Sequence, residues 1–283
     1  MFTHHEKLLT TSTCNKLYTQ SWVPSGPVIG SVLLVHGLTE HSGRYHPIAE
    51  YLVNKSYAVF ALDHEGHGQS SGRRGHIASF KNYFAGITAL RELASATISE
   101  KPMYIIGHSM GGVITLNYVL DNQQYFKGFA LSGPALDTEG VISPIQKYLL
   151  HGMAAVMPKF GAIKLETGEL THDPEMNASH DADPLILRDT VSAKLVSEII
   201  KYAESGLKRA TSLKTPVLIM HGEADSLASV NGSTKLHSVI GSEDKTLKIY
   251  DGMFHEIFLE IERKTVFDDL GAWLDRQQQN SEH

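Results

Sequence analysis

Ser109 stands at the centre of Gly107-His108-Ser109-Met110-Gly111, directly after the apolar run Met103-Tyr104-Ile105-Ile106 and before a helical pattern over residues 112–121. A buried strand that turns sharply into a helix holds its central side chain out on a strained elbow, where a hydroxyl can act as a nucleophile. Glycines two before and two after that position carry no Cβ, so neighbouring backbone can pass close by. A bare Gly-x-Ser-x-Gly is a common turn, and the strand–turn–helix context is what favours chemistry. A serine hydroxyl is a weak nucleophile at neutral pH and needs a base, in turn oriented by an acid.

With such an elbow the acid and then the base follow the serine in chain order. Asp225 lies in Met220-His221-Gly222-Glu223-Ala224-Asp225, just past a predicted strand, where groups facing a ligand sit in an α/β sheet. Glu223 is the competing acid. His255, in Gly252-Met253-Phe254-His255-Glu256, follows the next strand and comes after both other residues, which makes it the expected base. Asp251, four residues before it, reads as a turn or helix-cap aspartate. Of the remaining histidines, His4, His5 and His283 lie near the ends of the chain, and His151, His172, His180 and His237 are expected in surface segments. His64-Glu65-Gly66-His67 lacks the His-Glu-x-x-His spacing of a helical metal site and sits among glycines, so it reads as a loop shaping the pocket. No metal and no organic cofactor is called for.

Acyl transfer through a serine places negative charge on the former carbonyl oxygen, and amides fixed in advance stabilise it. One is expected from Met110, directly after the nucleophile. The other is expected from Leu38, in the loop His36-Gly37-Leu38-Thr39-Glu40-His41-Ser42-Gly43 that follows Val32-Leu33-Leu34-Val35.

These loops require a sheet to carry them. Apolar runs at residues 32–35, 58–62, 103–106 and 128–131 are too continuous for half-exposed strands and fit strands buried on both faces. Helical patterns over 45–54, 80–99 and 112–121 alternate with them, and residues 17–29 read as a strand–turn–strand opening around Pro24-Ser25-Gly26-Pro27. After Ser132 the rhythm breaks. Residues 134–206 show helical periodicity and no convincing buried strand, and the alternation resumes with strands at 216–220 and 247–250 and a helix over 263–277. The fold class predicted is α/β, a mostly parallel central sheet flanked by helices. Its core would be residues 1–133 and 207–283, with a helical cap over 134–206. The polar end, residues 277–283, is expected to fray.

Composition bounds the classes. The 283 residues are 42% hydrophobic and 20% charged with a net charge of -6, which disfavours nucleic acid as a partner. The single cysteine, Cys14, excludes an intrachain disulfide framework. The start of the chain lacks a secretory pattern, and no apolar run approaches the roughly 20 residues that span a bilayer. A cytoplasmic location follows as the expectation, with peripheral membrane contact open.

The sequence resembles the monoacylglycerol lipase and lysophospholipase family of α/β hydrolases. The resemblance rests on His36-Gly37-Leu38-Thr39-Glu40-His41-Ser42-Gly43-Arg44-Tyr45, Asp63-His64-Glu65-Gly66-His67-Gly68-Gln69-Ser70, the elbow, Asp183-Pro184-Leu185, His221-Gly222-Glu223-Ala224-Asp225 and residues 245–250. It covers nearly the whole chain and is weakest over 135–164. The elbow is shared by many hydrolases; the His-Ser-Gly-Arg-Tyr and Gly-His-Gly-Gln-Ser stretches are more specific. The resemblance implies the α/β-hydrolase fold, Ser109, Asp225 and His255 as a triad, and the amides of Leu38 and Met110 as an oxyanion hole. It also implies Glu40, Arg44 and His108 around the glycerol end of a substrate, with Arg44 as a surface ion-pair residue and His108 as a support of the elbow the plainer readings. Leu38-Thr39 stands where relatives often carry Ala-Gly, a bulkier pair that would narrow the entrance.

The implied activity is cleavage of monoacylglycerols to fatty acid and glycerol through an acyl-enzyme. The alternatives are a lysophospholipase or a broad carboxylesterase, and more distantly acyl transfer to an alcohol or a non-catalytic lipid-binding or scaffold protein. Within the cap, Ile145, Leu149, Met153, Val156, Met157 and Phe160 recur near helical spacing. That stripe either packs on the core or forms a lid lining an acyl tunnel and touching a membrane surface. Gly152 and Pro158 are possible interruptions of its helix.

Overall fold

The computed structural model describes residues 1–13, 15–137, 143–164 and 170–279. Cys14 and His283 lie outside the described residues, as do parts of the predicted cap. Ten strands and eight helices make up the described fold: β1 (Phe2–Thr10), β2 (Lys16–Pro24), β3 (Gly30–Val35), α1 (His46–Asn54), β4 (Tyr57–Leu62), α2 (Lys81–Thr97), β5 (Met103–His108), α3 (Met110–Asn122) and β6 (Gly128–Ser132) come first. Then follow α4 (Pro144–Val156), β7 (Gly161–Ile163), α5 (Pro174–Ala182), β8 (Val191–Ser192), α6 (Ala193–Arg209), β9 (Val217–Gly222), α7 (Val230–Val239), β10 (Lys245–Tyr250) and α8 (Arg263–Gln279).

Eight strands form one sheet in the order β1-β2-β4-β3-β5-β6-β9-β10. Pairing is antiparallel at β1–β2 and β2–β4 and parallel from β4 onward. The central strands are apolar throughout because both faces are covered. Leu33, Val35, Phe60, Leu62 and Ile105 point into a core shared with α2, α3 and α6. Their neighbours Val32, Leu34, Val59, Tyr104 and Ile106 point the other way, against α1 and α8. Each such aliphatic or aromatic side chain contributes roughly 1.5–3 kcal/mol on burial, which fixes the register and hence where every strand ends.

The chain begins with a strand that the pattern reading passed over. In β1 nearly every residue is exposed, so it has no buried face to give an apolar signature, and its partner β2 alone packs on the core. The described residues between β6 and β9 are largely helical, but they also hold the short antiparallel pair β7–β8, too brief to show a period. Gln277 does not fray as expected: α8 continues through it, and its buried side-chain amide donates to Asp244 at 2.7 Å.

Helix α4 opens on a capping box between Ser143 and Gln146, runs uninterrupted through Gly152 and ends before Pro158. Its apolar stripe does not pack on the core. Ile145 is 74% exposed and Val156 82%, with Tyr148, Leu149, Met157 and Phe160 also on the outside. The opposite face lies against α6: Lys147 pairs with Glu204 and His151 with Ser197.

Candidate functional site

Ser109 sits between β5 and α3 with φ 54° and ψ −119°, a left-handed conformation for a residue with a side chain. Local sequence makes this possible. A Cβ on Gly107 would lie 2.3 Å from the Gly111 carbonyl oxygen, and one on Gly111 would lie 2.2 Å from that of Val35. Only glycine lets the three backbones meet this closely.

His255 and Asp225 come from the loops after β10 and β9, the parallel strands next to one another at that end of the sheet. His255 Nδ1 lies 2.6 Å from Asp225 Oδ2. The loop of the histidine is fastened by Glu260, which accepts from the Phe254 amide at 2.8 Å and, across in the insertion, from the His172 amide at 2.9 Å. Asp225 accepts the amides of Leu227 at 2.8 Å and Ala228 at 2.9 Å on its other oxygen. The His221 ring adds a second contact to Oδ2 at 3.1 Å. That ring donates from Nε2 to the Ala228 carbonyl at 2.7 Å and lies 2.7 Å from the Ser233 hydroxyl at Nδ1, so its proton is on Nε2. Glu223, the competing acid, is exposed and directed toward the Gly252 amide.

Burial alone would raise the Asp225 carboxyl. The His221 and His255 donors and the Ala228 amide outweigh it and hold the group well below the usual carboxylate range. For His255 burial pulls down, while the Asp225 hydrogen bond and charge, with Glu256 and Glu40 behind them, carry the ring above the ordinary histidine value. Its neighbour His108 is driven down to about 3 by burial and by the His255 charge. It is therefore neutral, and its Nδ1 donates to the Ser132 carbonyl at 3.0 Å.

Ser109 and His255 line one cavity of about 140 Å³, together with Leu38, Met110, Glu40, Arg44 and His108. The structure thus brings all of the predicted site residues except the buried Asp225 to one cavity wall, and Asp225 stands directly behind His255. Among the described residues neither the Leu38 nor the Met110 amide donates to another protein group, and Met110 opens α3, where the helix dipole favours negative charge. Leu170, His180 and Ile199 complete the wall from the insertion.

Arg44 is not a surface residue. Its side chain is 8% exposed, and the guanidinium grips Glu256 through two bonds, Nη2 to Oε2 at 2.7 Å and Nη1 to Oε1, while Nη1 also donates to Glu40 at 3.2 Å. Glu40 is divided: Oε1 accepts the Gly37 amide at 2.6 Å and the Tyr45 hydroxyl at 2.8 Å, so it braces the loop of Leu38 as well as facing the cavity. A small cleft of about 20 Å³ adjoins this cluster, walled also by Tyr45, Phe258 and Leu259.

Sequence reasoning missed Glu256 and His180. Glu256 follows His255 directly and reads as an ordinary loop acid; the signal available was an otherwise unpaired Arg44 in a buried motif. His180, expected on the surface, is only 4% exposed because α5 turns its one buried residue inward. His64 and His67 do not line the cavity. They pack behind it with Tyr83 against His36, whose Nε2 accepts the His64 amide at 2.8 Å, and so act on the pocket only through the loop that His36 begins.

Comparison with known proteins gives the family. The family model described as serine aminopeptidase, S33, matches residues 26–262. A monoacylglycerol lipase of Mycolicibacterium smegmatis is 34% identical over 89% of this chain and 90% of its own. The crystal structure of the Paleococcus ferrophilus monoacylglycerol lipase superposes with a TM-score of 0.83 at 30% identity, over 92% of this chain and 99% of that one. A soluble variant of the Saccharomyces cerevisiae monoglyceride lipase, solved with a substrate analogue, superposes with a TM-score of 0.85 at 25% identity, over 98% of this chain and 96% of that one. The chain belongs to this serine hydrolase family, among its monoacylglycerol lipase-like carboxylic ester hydrolases of the α/β-hydrolase fold.

Proposed function

We propose that this protein hydrolyses monoacylglycerols through an acyl-enzyme on Ser109. The observation that carries the reading is the 2.6 Å bond between His255 and a carboxylate, in one cavity with a left-handed serine and two uncommitted amides. His255 takes the Ser109 proton through Nε2 as the hydroxyl attacks the ester carbonyl, since Nδ1 is engaged by Asp225. Asp225 keeps the ring in that tautomer and supports the imidazolium that forms. The oxyanion rests on the amides of Leu38 and Met110, each worth about 10²–10³ in kcat by analogy with known oxyanion donors. The imidazolium then protonates the departing glycerol, and water activated by His255 releases the fatty acid.

The polar cluster of Arg44, Glu40 and Glu256, with neutral His108, suits the glycerol hydroxyls, and Leu38, Leu170, Ile199 and Leu227 give the acyl chain an apolar wall. Ala135, Leu170, His180 and Ile199, all from the stretch between β6 and β9, line that cavity and support reading residues 134–206 as its cap. No helix among the described residues is long and apolar enough to cross a membrane. The exposed stripe of α4 supports transient contact with a membrane surface instead, where the substrate resides.

Labelling with a fluorophosphonate probe tests the nucleophile: the wild-type chain is labelled and Ser109→Ala is not, and label on the variant refutes the assignment. Turnover of monoacylglycerols against lysophosphatidylcholine and short p-nitrophenyl esters tests the substrate. Faster turnover of the lysophospholipid would replace the monoacylglycerol reading. Sedimentation with liposomes tests the surface. The wild type pellets and Met153→Glu plus Met157→Glu does not; a wild type left in the supernatant refutes membrane contact.

A further inference from the structure

The loop that carries Leu38 holds a conformation its sequence disfavours. Thr39 has φ 68°, in the left-handed region, where a β-branched residue is an outlier. Such a residue persists only where its surroundings over-determine it. Glu40 braces the start of this loop from within the core, and the rest of the support comes from the insertion. The Leu187 amide donates to the Thr39 carbonyl at 2.8 Å. Two residues along the loop, His41 Nδ1 accepts the Gly43 amide at 3.2 Å, so the neutral ring carries its proton on Nε2 and donates it to Asp183 Oδ2 at 2.7 Å. The other Asp183 oxygen accepts the Leu185 amide at 2.7 Å, and Arg74 ties the Leu185 carbonyl, at 2.5 Å, to that of Gly68, at 2.8 Å.

We infer that residues 183–187 are a latch from the insertion that holds the Leu38 loop in its working shape, with Asp183 and His41 as positioning residues. The inference rests on the reading of the Leu38 amide as an oxyanion donor. Asp183 sets the path of the latch, the latch places Leu187 on Thr39, and that bond keeps the peptide next to Leu38 from relaxing to the right-handed side. A single aspartate in the insertion thus governs the chemistry of the core without touching substrate.

The test is a double-mutant cycle between Asp183→Ala and Thr39→Gly, read as kcat and KM for p-nitrophenyl butyrate, a short ester with little need of the acyl wall. Asp183→Ala lowers kcat about ten-fold, the size of one residue's left-handed penalty, and leaves KM within about two-fold. Glycine adopts the left-handed conformation unaided, so in the Thr39→Gly background the same substitution costs less than about three-fold. Equal losses in both backgrounds, or a loss confined to KM, overturn the latch. Where Asp183→Ala does not fold, the same comparison with Asp183→Asn decides, because an amide can accept from either His41 or the Leu185 amide but carries no charge to strengthen them. Residual turnover by Ser109→Ala would refute the nucleophile assignment and leave the latch cycle standing.

Discussion

Arg44→Met exposes how the polar end of the cavity is balanced. Arg44, Glu40 and Glu256 are each 8% exposed or less at the side chain, and the guanidinium bonds both carboxylates. Burial is the largest influence on either acid, and it raises both. At Glu256 the Arg44 charge and hydrogen bonds outweigh it and lower the group, whereas at Glu40 burial and the Glu256 charge win and raise it. Methionine keeps the apolar stem and removes the cation, leaving two buried carboxylates in one chamber. Like charges that close cannot both ionise, so the pair keeps a proton well above the ordinary carboxylate range. The folded pKa is then raised over the unfolded one. The protonated pair is tolerated below the unfolded value, and stability is lost as pH climbs toward the folded one. The slope is about 1.4 kcal/mol per pH unit above an unfolded pKa of about 4.3, up to the 3–5 kcal/mol cost of about one uncompensated buried charge. Urea denaturation at pH 5 and pH 8 measures it. The stability gap between wild type and Arg44→Met is about 1 kcal/mol at the lower pH and widens by about 2–4 kcal/mol at the higher. Adding Glu256→Gln removes the like-charge share of the widening and leaves the share that burial imposes on Glu40. A gap that is the same at both pH values, or that persists unchanged in the double variant, refutes the account.

Three further outcomes follow from the geometry. Asp225→Asn lowers kcat by about four orders of magnitude with a modest change in KM, because an amide no longer enforces the His255 tautomer; a loss under about ten-fold in ester turnover would refute the role. The acid limb of kcat/KM falls above the ordinary histidine value, since the raised His255 ring must lose its proton before it can act as a base. Glu256→Gln, removing a carboxylate that favours the imidazolium, moves that limb to lower pH, and a limb that stays in place or moves up refutes the coupling. Gly111→Val forces a Cβ to within 2.2 Å of the Val35 carbonyl, so the variant loses fluorophosphonate labelling and more than about 3 kcal/mol of stability; normal labelling would show the elbow is not this tight.

The sheet was legible because its central strands are buried on both faces and can be nothing but continuous apolar runs. Val32-Leu33-Leu34-Val35 and Tyr104-Ile105-Ile106 declare themselves, whereas β1, paired along one edge and exposed on its side chains, has no hydrophobic pattern to read. Ser109, Asp225 and His255, the proposed triad, could be picked out in the sequence because each stands at a fixed place after such a strand. Glu256 and His180 were not, because their burial depends on how the insertion closes over the sheet, which no local period encodes. The stripe of α4 was visible as a pattern, but its direction was not: an apolar helix face looks the same in sequence whether it meets a core or solvent.

The loops around the cavity share one physical device. A loop lacks the ladder that pairs backbone groups in a strand, so its amides need other acceptors. Here carboxylates supply them. Asp63 accepts the amides of Ser42 and Gln69, both at 2.8 Å, Glu40 that of Gly37, Asp183 that of Leu185, Asp225 those of Leu227 and Ala228, and Glu260 those of Phe254 and His172. Charge-assisted bonds of this kind are roughly twice as strong as neutral ones, which suits loops that must hold the proposed nucleophile, base and oxyanion donors within tight tolerances. Asp183 and Glu260 differ from the others in that each also joins insertion to core, Asp183 through the His41 ring and Glu260 through the His172 amide. Acid that protonates them would loosen the roof and the reacting groups together. Both lie below their ordinary carboxylate values, against the push of burial, through the hydrogen bonds they accept. Their contribution to stability is therefore present at neutral pH and lost only as pH falls below the usual carboxylate range. The closed site is thus held together by the same charges across the whole range in which His255 can act as a base.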